Sequence, residues 1–391
     1  MRIVVVSLLC VAACRSAPMY RAPVGNTPAA TLQAIEADGR VGIAPEDEAL
    51  WRCELGTAAL AVGDEHAAFK ALHGASRIMG TLESTSRENA RAILGQESTK
   101  TWKGDPYERC MNALYKGLLY WRRGDLDNAS ACFKSGLLAD AWSEAGEHQE
   151  DFAALSFLLG WVSHLRGRHE QARFSFREAA QIQPDNPWFR DPRPDHHNVL
   201  ILVETGHGPE KFADGPGGHI ARFAAKRSPD AALSVRVDGG PARTSAHATD
   251  LLRQATTRGE RVLDGIRAGK AVFRVGTDVA GKVLIYEGAR RDKGELFAAG
   301  LGLLVLSALT RTEADVRHWT MLPRSLHVLP LRLAPGRHTL EVQAIDAGGR
   351  PLAGWSKAFS VDVPAAFGRL YWLRSAPGRR IHGLLETEAA P

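Results

Sequence analysis

The residues best suited to chemistry in this chain are few, and each set falls short of a complete site. Gly276-Thr277-Asp278-Val279-Ala280-Gly281-Lys282 has the GxxxxGK spacing of a phosphate-cradling loop, in which backbone amides and the lysine hold a nucleotide's phosphates. The next residue is Val283, so the hydroxyl that would bind magnesium is missing, and no following strand ends in an acidic metal ligand. There is no GxSxG elbow, HExxH pair or SxxK triplet. His196 and His197 are adjacent rather than one helical turn apart, which reads as a surface loop pair and not as a metal site. No catalytic residue, metal or cofactor is assigned, and the chain is read as a non-enzyme.

One cysteine has a chemical role of another kind. Met1-Arg2 is followed by the apolar stretch Ile3-Val4-Val5-Val6-Ser7-Leu8-Leu9-Cys10, too short to span a bilayer, and then by Val11-Ala12-Ala13-Cys14. Small residues directly before a cysteine resemble the bacterial lipobox, which implies cleavage after residue 13 and acylation of Cys14; the alternative is plain secretion. Arg15 stands where an aspartate would signal inner-membrane retention, so the same resemblance implies the outer membrane, on its periplasmic face. More than one acyl chain would make that attachment stable. The other cysteines of the processed chain, Cys53, Cys110 and Cys132, show no CxxC spacing and read as buried thiols.

The elements that must position any site follow from spacing. Gly56, Gly117 and Gly160 are each followed at +7, +12, +16 and +19 by the same residue types: Gly63, Ala68, Leu72 and Ala75; Gly124, Ala129, Phe133 and Gly136; Gly167, Ala172, Phe176 and Ala179. The first glycine and the +12 alanine mark a close helix crossing. The +7 glycine makes a turn, and the +16 side chain fills the space between the helices. Pro184 and Pro187 close the third unit. This spacing resembles the tetratricopeptide repeat. The copies are not tandem, so the first gap is expected to hold a further helix near Arg87 to Leu94, and the second an acidic insert around Glu144 to Asp151.

Between the first two repeats, Trp102-Lys103-Gly104-Asp105-Pro106-Tyr107-Glu108-Arg109 reads as a loop entering a helix, with Asp105 as cap, Pro106 at the first position and Glu108 reaching back. Trp102, Tyr107, Arg109 and Tyr120 are the candidate partner-binding residues, with packing on the repeat as the favoured role for Trp102 and Tyr107.

Beyond Pro194 the period changes. Val199-Leu200-Ile201-Leu202-Val203 is a buried-strand run, and the segments from Leu233, from Gly336 and from Trp355 to Val363 alternate. Arg369 to Leu373 reads as a last strand. The expected fold class is α+β: an N-terminal TPR-like α-solenoid followed by an antiparallel β-sandwich-like domain with a helical insertion. The expected bounds are a signal peptide over 1–13, a lipidated flexible tether over 14–45, repeats over 46–190, a β-rich domain over 191–375 with the insertion at about 246–316, and a tail over 376–391. Within the insertion, Leu296 to Leu309 is almost wholly apolar and reads as a buried core helix, with a membrane-dipping helix or a partner-binding hairpin as the alternative.

A net charge of +5 over 391 residues is mildly basic, and the basic clusters lack interleaved aromatics, so nucleic acid is excluded as a partner. The lipobox, the loop from Trp102 to Arg109, the second repeat, Leu202 to Lys211 and Asp315 to Arg324 together resemble a family of uncharacterised bacterial tetratricopeptide-repeat (TPR) lipoproteins. That family carries no assigned catalytic residues. The resemblance implies a cell-envelope scaffold for a protein or peptide partner, held to the membrane by its N-terminal lipid. The alternative is an envelope glycan- or lipid-binding module acting through the β-rich part.

Overall fold

The computed structural model describes residues 19–80, 100–141, 152–215, 218, 220–257, 314–364, 369–376 and 380–385. The readings made above for the lipobox, Arg87 to Leu94, Glu144 to Asp151, the GxxxxGK segment and Leu296 to Leu309 fall outside these residues. Among the described residues no helix is long and apolar enough to cross a membrane.

Three helix pairs form where the repeat spacing places them: α2 (Glu48–Ala61) with α3 (Glu65–Met79), α4 (Pro106–Arg122) with α5 (Leu126–Ala141), and α6 (Ala153–Leu165) with α7 (His169–Ile182). Each pair is closed by the contact that the offsets imply. A Cβ on Gly56 would lie 2.6 Å from Leu72, one on Gly117 2.3 Å from Phe133, and one on Gly160 2.6 Å from Phe176. The +7 glycines adopt left-handed backbone with φ of 82°, 78° and 71°, so each turn is made where side chains are disfavoured. A preceding helix, α1 (Pro28–Val41), is capped by Thr27, whose Oγ1 accepts from the Ala30 N–H, and it buries Ile35 beside Ala58. The expected tether over 14–45 is therefore corrected. Thr27 and Pro28 start a helix, and an apolar face docks it on the first repeat.

A short helix, α8 (Pro187–Arg190), leads into the strand-rich region, which forms three sheets among the described residues. The first has β1 (Val199–Thr205), β6 (Ala246–Asp250), β7 (Ser325–Leu331), β10 (Arg369–Ala376) and β11 (Arg380–Leu385) in the order β11-β10-β1-β7-β6. The second has β4 (Ala232–Val237), β5 (Arg243–Thr244), β8 (Gly336–Ile345) and β9 (Pro351–Val363) in the order β5-β4-β8-β9. A hairpin pairs β2 (Glu210–Asp214) with β3 (Ile220–Ala224).

The unbroken apolar run of β1 has a direct cause. Leu200 and Leu202 join the core of the repeat helices, while Val199, Ile201 and Val203 join Leu233, Val342 and Phe359 of the four-stranded sheet. The five-stranded sheet is thus buried on both faces, the situation that calls for a continuous hydrophobic strand. On β9 one face is solvated, and burial alternates through Trp355, Phe359, Val361 and Val363.

Four further expectations change. The five-stranded sheet is mixed, because β1 pairs with β10 in parallel, Leu200 against Leu370, and with β7 antiparallel. Residues 246–250 belong to the sheet as β6, so the insertion does not begin at 246; helix α9 (Leu251–Thr257) follows directly, capped by Asp250 Oδ1. The presumed tail contributes β11, antiparallel to β10. The split at residue 190 is also not a boundary between cores. One buried cluster holds Leu114, Leu118 and Phe157 of the repeats together with Leu202, Trp319, Val328 and Trp372.

Candidate functional site

In a helical repeat the inner helices present the groove in which a partner segment would lie. Here the inner helices are α2 and α4, and the segment lying against them is the chain's own residues 314–322. Glu54 of α2 accepts hydrogen bonds from Thr320 N–H at 2.6 Å, Thr320 Oγ1 at 2.7 Å and Met321 N–H at 3.3 Å. Glu108 of α4 accepts from Trp319 N–H at 2.6 Å, while its other oxygen takes the Asp105 N–H at 2.6 Å. The helix-entry role expected of Glu108 is present, and the same carboxylate also holds a strand of backbone from the far end of the chain. Trp319 is fully buried, its indole donating to Thr57 and its ring edge-on to Tyr115 at 5.6 Å.

The ion pairs around this segment are buried as well. The Arg317 side chain has no exposed surface. It bonds Asp47 at 2.8 Å, Asp315 at 2.6 Å, and the carbonyls of Glu46 and Lys100 at 3.1 and 2.8 Å. Lys211 at the start of β2 reaches Asp105 at 2.9 Å. Deeper in, Glu204 of β1 accepts from the Trp372 indole at 2.9 Å and faces Arg374 at 3.5 Å, and Trp372 stacks obliquely on Tyr115 at 4.9 Å. Burial pushes Glu54 up to about 7, and raises Glu108 and Glu204 from the usual carboxylate range. Raised carboxylates in a cleft are a common mark of catalysis. These three are fully buried, and backbone amides of residues 319–321 and the Trp372 indole donate to them.

The candidate partner-binding residues separate into two pairs. Trp102 and Tyr107 are 4 % and 1 % exposed: Trp102 donates to the Arg317 carbonyl, and Tyr107 packs edge-on to Phe223 at 5.9 Å. Both serve internal packing, which corrects their assignment as contacts for a partner. Arg109 and Tyr120 remain accessible and share one groove of about 430 Å³, open to solvent between α3, α4 and α5. Arg109 and Tyr120 stand at its ends, with Lys116 between them on α4. His73 and Ser76 of α3 form one wall, and Cys132 and Leu138 of α5 the other. Counting about 100° per residue, this stripe on α4 lies roughly 100° around the helix from Glu108 and Tyr115. Two faces of α4 are therefore distinct, one closed by residues 314–322 and one open.

Sequence reasoning missed Glu54, Arg317, Trp319 and Lys116 as members of these faces. Asp315 to Arg324 stood out only as a motif without a place. Cys53 and Cys110 are buried, as expected, and Cys132 is half-buried in the open groove. His196 and His197 line a shallow surface hollow with Arg190, Arg193, Arg332 and Trp188. Among the described residues no group of three His, Cys, Asp or Glu residues is arranged to hold a metal ion.

Residues 153–186, the pair α6 and α7, match the tetratricopeptide repeat family model. A search among curated proteins gives no match. Among solved structures, similarity is found to MamA at 13 % identity, covering 40 % of this chain and 69 % of that one with a TM-score of 0.28. It is also found to YrrB, described as a TPR protein with an unusual peptide-binding site, at 16 % identity, covering 42 % of this chain and 66 % of that one with a TM-score of 0.29.

Proposed function

We propose that the protein is a non-catalytic scaffold of the bacterial cell envelope, held to the outer membrane by a lipid on Cys14. Its repeats dock a protein or peptide partner through the outer groove between α3, α4 and α5. The observation that carries this reading is the division of labour on α4. The inner face is filled by residues 314–322 under Glu54 and Glu108, whereas the face with Arg109, Lys116 and Tyr120 is open. Repeat proteins act by presenting such surfaces, and a filled inner groove leaves the outer one to do so.

The test is photo-crosslinking in cells, with a photoreactive residue in place of Tyr120 and, as control, in place of the exposed Phe174 of α7. The expected result is one defined protein adduct from the groove position, absent from the control, in the membrane fraction. Cys14→Ala should move the protein to the soluble fraction. A groove position that captures nothing, or captures what the control captures, would sink the docking reading. A Cys14→Ala protein that stays with the membrane would sink the anchor.

A further inference from the structure

The groove has a charge character that narrows its occupant. Arg109, Lys116 and His73 line it, and among the described residues that line it there is no aspartate or glutamate. Lys116 is the central one. It is half-buried, and its Nζ donates to Ser76 Oγ at 2.9 Å, a neutral hydroxyl that itself donates to the His73 carbonyl at 3.0 Å. Among the described residues no carboxylate pairs with it. The buried side chains of Arg317 and Lys211, by contrast, are matched, Arg317 by Asp47 and Asp315, Lys211 by Asp105. Asp125, near the Tyr120 end, caps α5 by accepting from Asn128 N–H at 3.0 Å and from its side-chain amide at 2.7 Å. Burial lowers the pKa of Lys116 from its ordinary value, the direction expected of an ammonium losing water without gaining an anion.

The walls add the rest. Leu138 is 55 % exposed at the rim, and Ala113 and Met79 give the floor apolar surface. From Arg109 to Tyr120 the groove follows α4 for about 16 Å at 1.5 Å per residue. That length takes about five residues of extended chain.

We infer, building on the docking reading above, that the outer groove selects an acidic peptide segment of its partner, one carboxylate pairing with Lys116 Nζ and flanking aliphatic side chains resting on Met79, Ala113 and Leu138. Charge-assisted hydrogen bonds to a partly desolvated ammonium are stronger than neutral ones, and an amide in place of the carboxylate leaves the cation unmatched. Arg109 at one end and His73 on the wall extend the positive field along the segment and set its preference against basic sequences.

The experiment uses the full chain and a pool of fluorescein-labelled peptides with a core of about five residues, Asp-Glu flanked by Leu or Val, each matched by its Asn-Gln counterpart. Phosphatidylglycerol vesicles serve as a lipid probe. Anisotropy reports binding, and mass-spectrometric mapping of iodoacetamide addition at Cys132 reports occupancy of the groove. The expected result is that acidic peptides bind and shield Cys132, that Asn-Gln counterparts bind about tenfold or more weakly, and that Lys116→Met removes that difference while Lys116→Arg keeps it. Melting temperatures of both variants confirm folding. Equal binding of acidic and amide peptides, or Cys132 shielded by vesicles and not by peptides, overturns the inference. Absence of any peptide binding overturns it too. If the groove crosslink is still captured in that case, the scaffold reading survives; without the crosslink, both fail.

Discussion

Glu108 and Trp319 lie 211 positions apart, yet the Glu108 carboxylate receives the Trp319 backbone N–H at 2.6 Å in the interior of the molecule. The residue that starts the second repeat is also the residue that fastens residues 314–322 into the inner groove. Repeat helices and sheets are joined at this point into one buried core, so damage to the fastening should be felt in both.

Trp319→Ala should therefore destabilise the whole chain and not only one region. Loss of a fully buried indole that contacts Tyr115 and Thr57 should cost about 3–5 kcal/mol. Urea unfolding followed separately by helical and strand signals should show both midpoints falling together. Independent transitions would mean that the segment is a passenger on the groove.

Arg317→Met should behave as the breaking of a buried ion network. It would leave Asp47 and Asp315 without their shared guanidinium, and the loss of one partner of a buried pair costs about 3–5 kcal/mol. Arg317→Lys should rescue little of it, because one ammonium cannot replace bonds spread over two carboxylates and two carbonyls. A lysine variant with wild-type thermal stability would refute this account.

The two glycine types of the repeat should respond differently. Gly117→Ala forces a Cβ to 2.3 Å from the buried Phe133 ring, an overpacking that should cost about 1–3 kcal/mol or more. Gly124→Ala meets nothing within 4 Å but must hold φ of 78°, which should cost about 1 kcal/mol. Enlarging the space with Phe133→Leu should relieve the first variant and leave the second untouched. Relief of both, or of neither, would contradict the division between crowding and backbone strain.

Stability should fall as the solution becomes more alkaline through neutrality. Burial holds Glu54 at about 7 against an ordinary value of 4.5, and Glu108 moves in the same direction. A carboxyl raised on folding binds its proton more tightly in the folded state. Its contribution is complete below 4.5 and is lost as pH rises through the folded value. His327, pushed down to about 3 by burial, acts oppositely, but only below its ordinary value of 6.5. Between pH 6.5 and 7.5 the carboxyls should therefore govern, with a loss on the order of 1 kcal/mol per pH unit. Glu54→Gln should flatten that slope in denaturant titrations. An unchanged slope would place the proton elsewhere.

What the sequence by itself determined is the repeat. Gly117 meets Phe133, and Gly160 meets Phe176, across sixteen positions and a single turn, so the offsets along the chain already encode the contact. The capping role of Glu108 was legible for the same reason, since Asp105 is three residues away. The alternation of β9 and the apolar run of β1 were legible as strands, because burial on one face or both is written into the residue types. Tertiary structure decided the rest. The parallel pairing of β1 with β10 joins residues 170 apart, and no local pattern distinguishes a parallel neighbour from an antiparallel one. Whether Trp102 and Tyr107 face a partner or the interior depended on Arg317 and Phe223 arriving from the other half of the chain. The same arrivals closed the inner groove through Glu54 and Glu108 and left Lys116, on the next face of the same helix, with no carboxylate among the described residues to meet it. An amphipathic helix announces which residues it would bury, but only the packing of distant segments settles which of its polar faces is already satisfied.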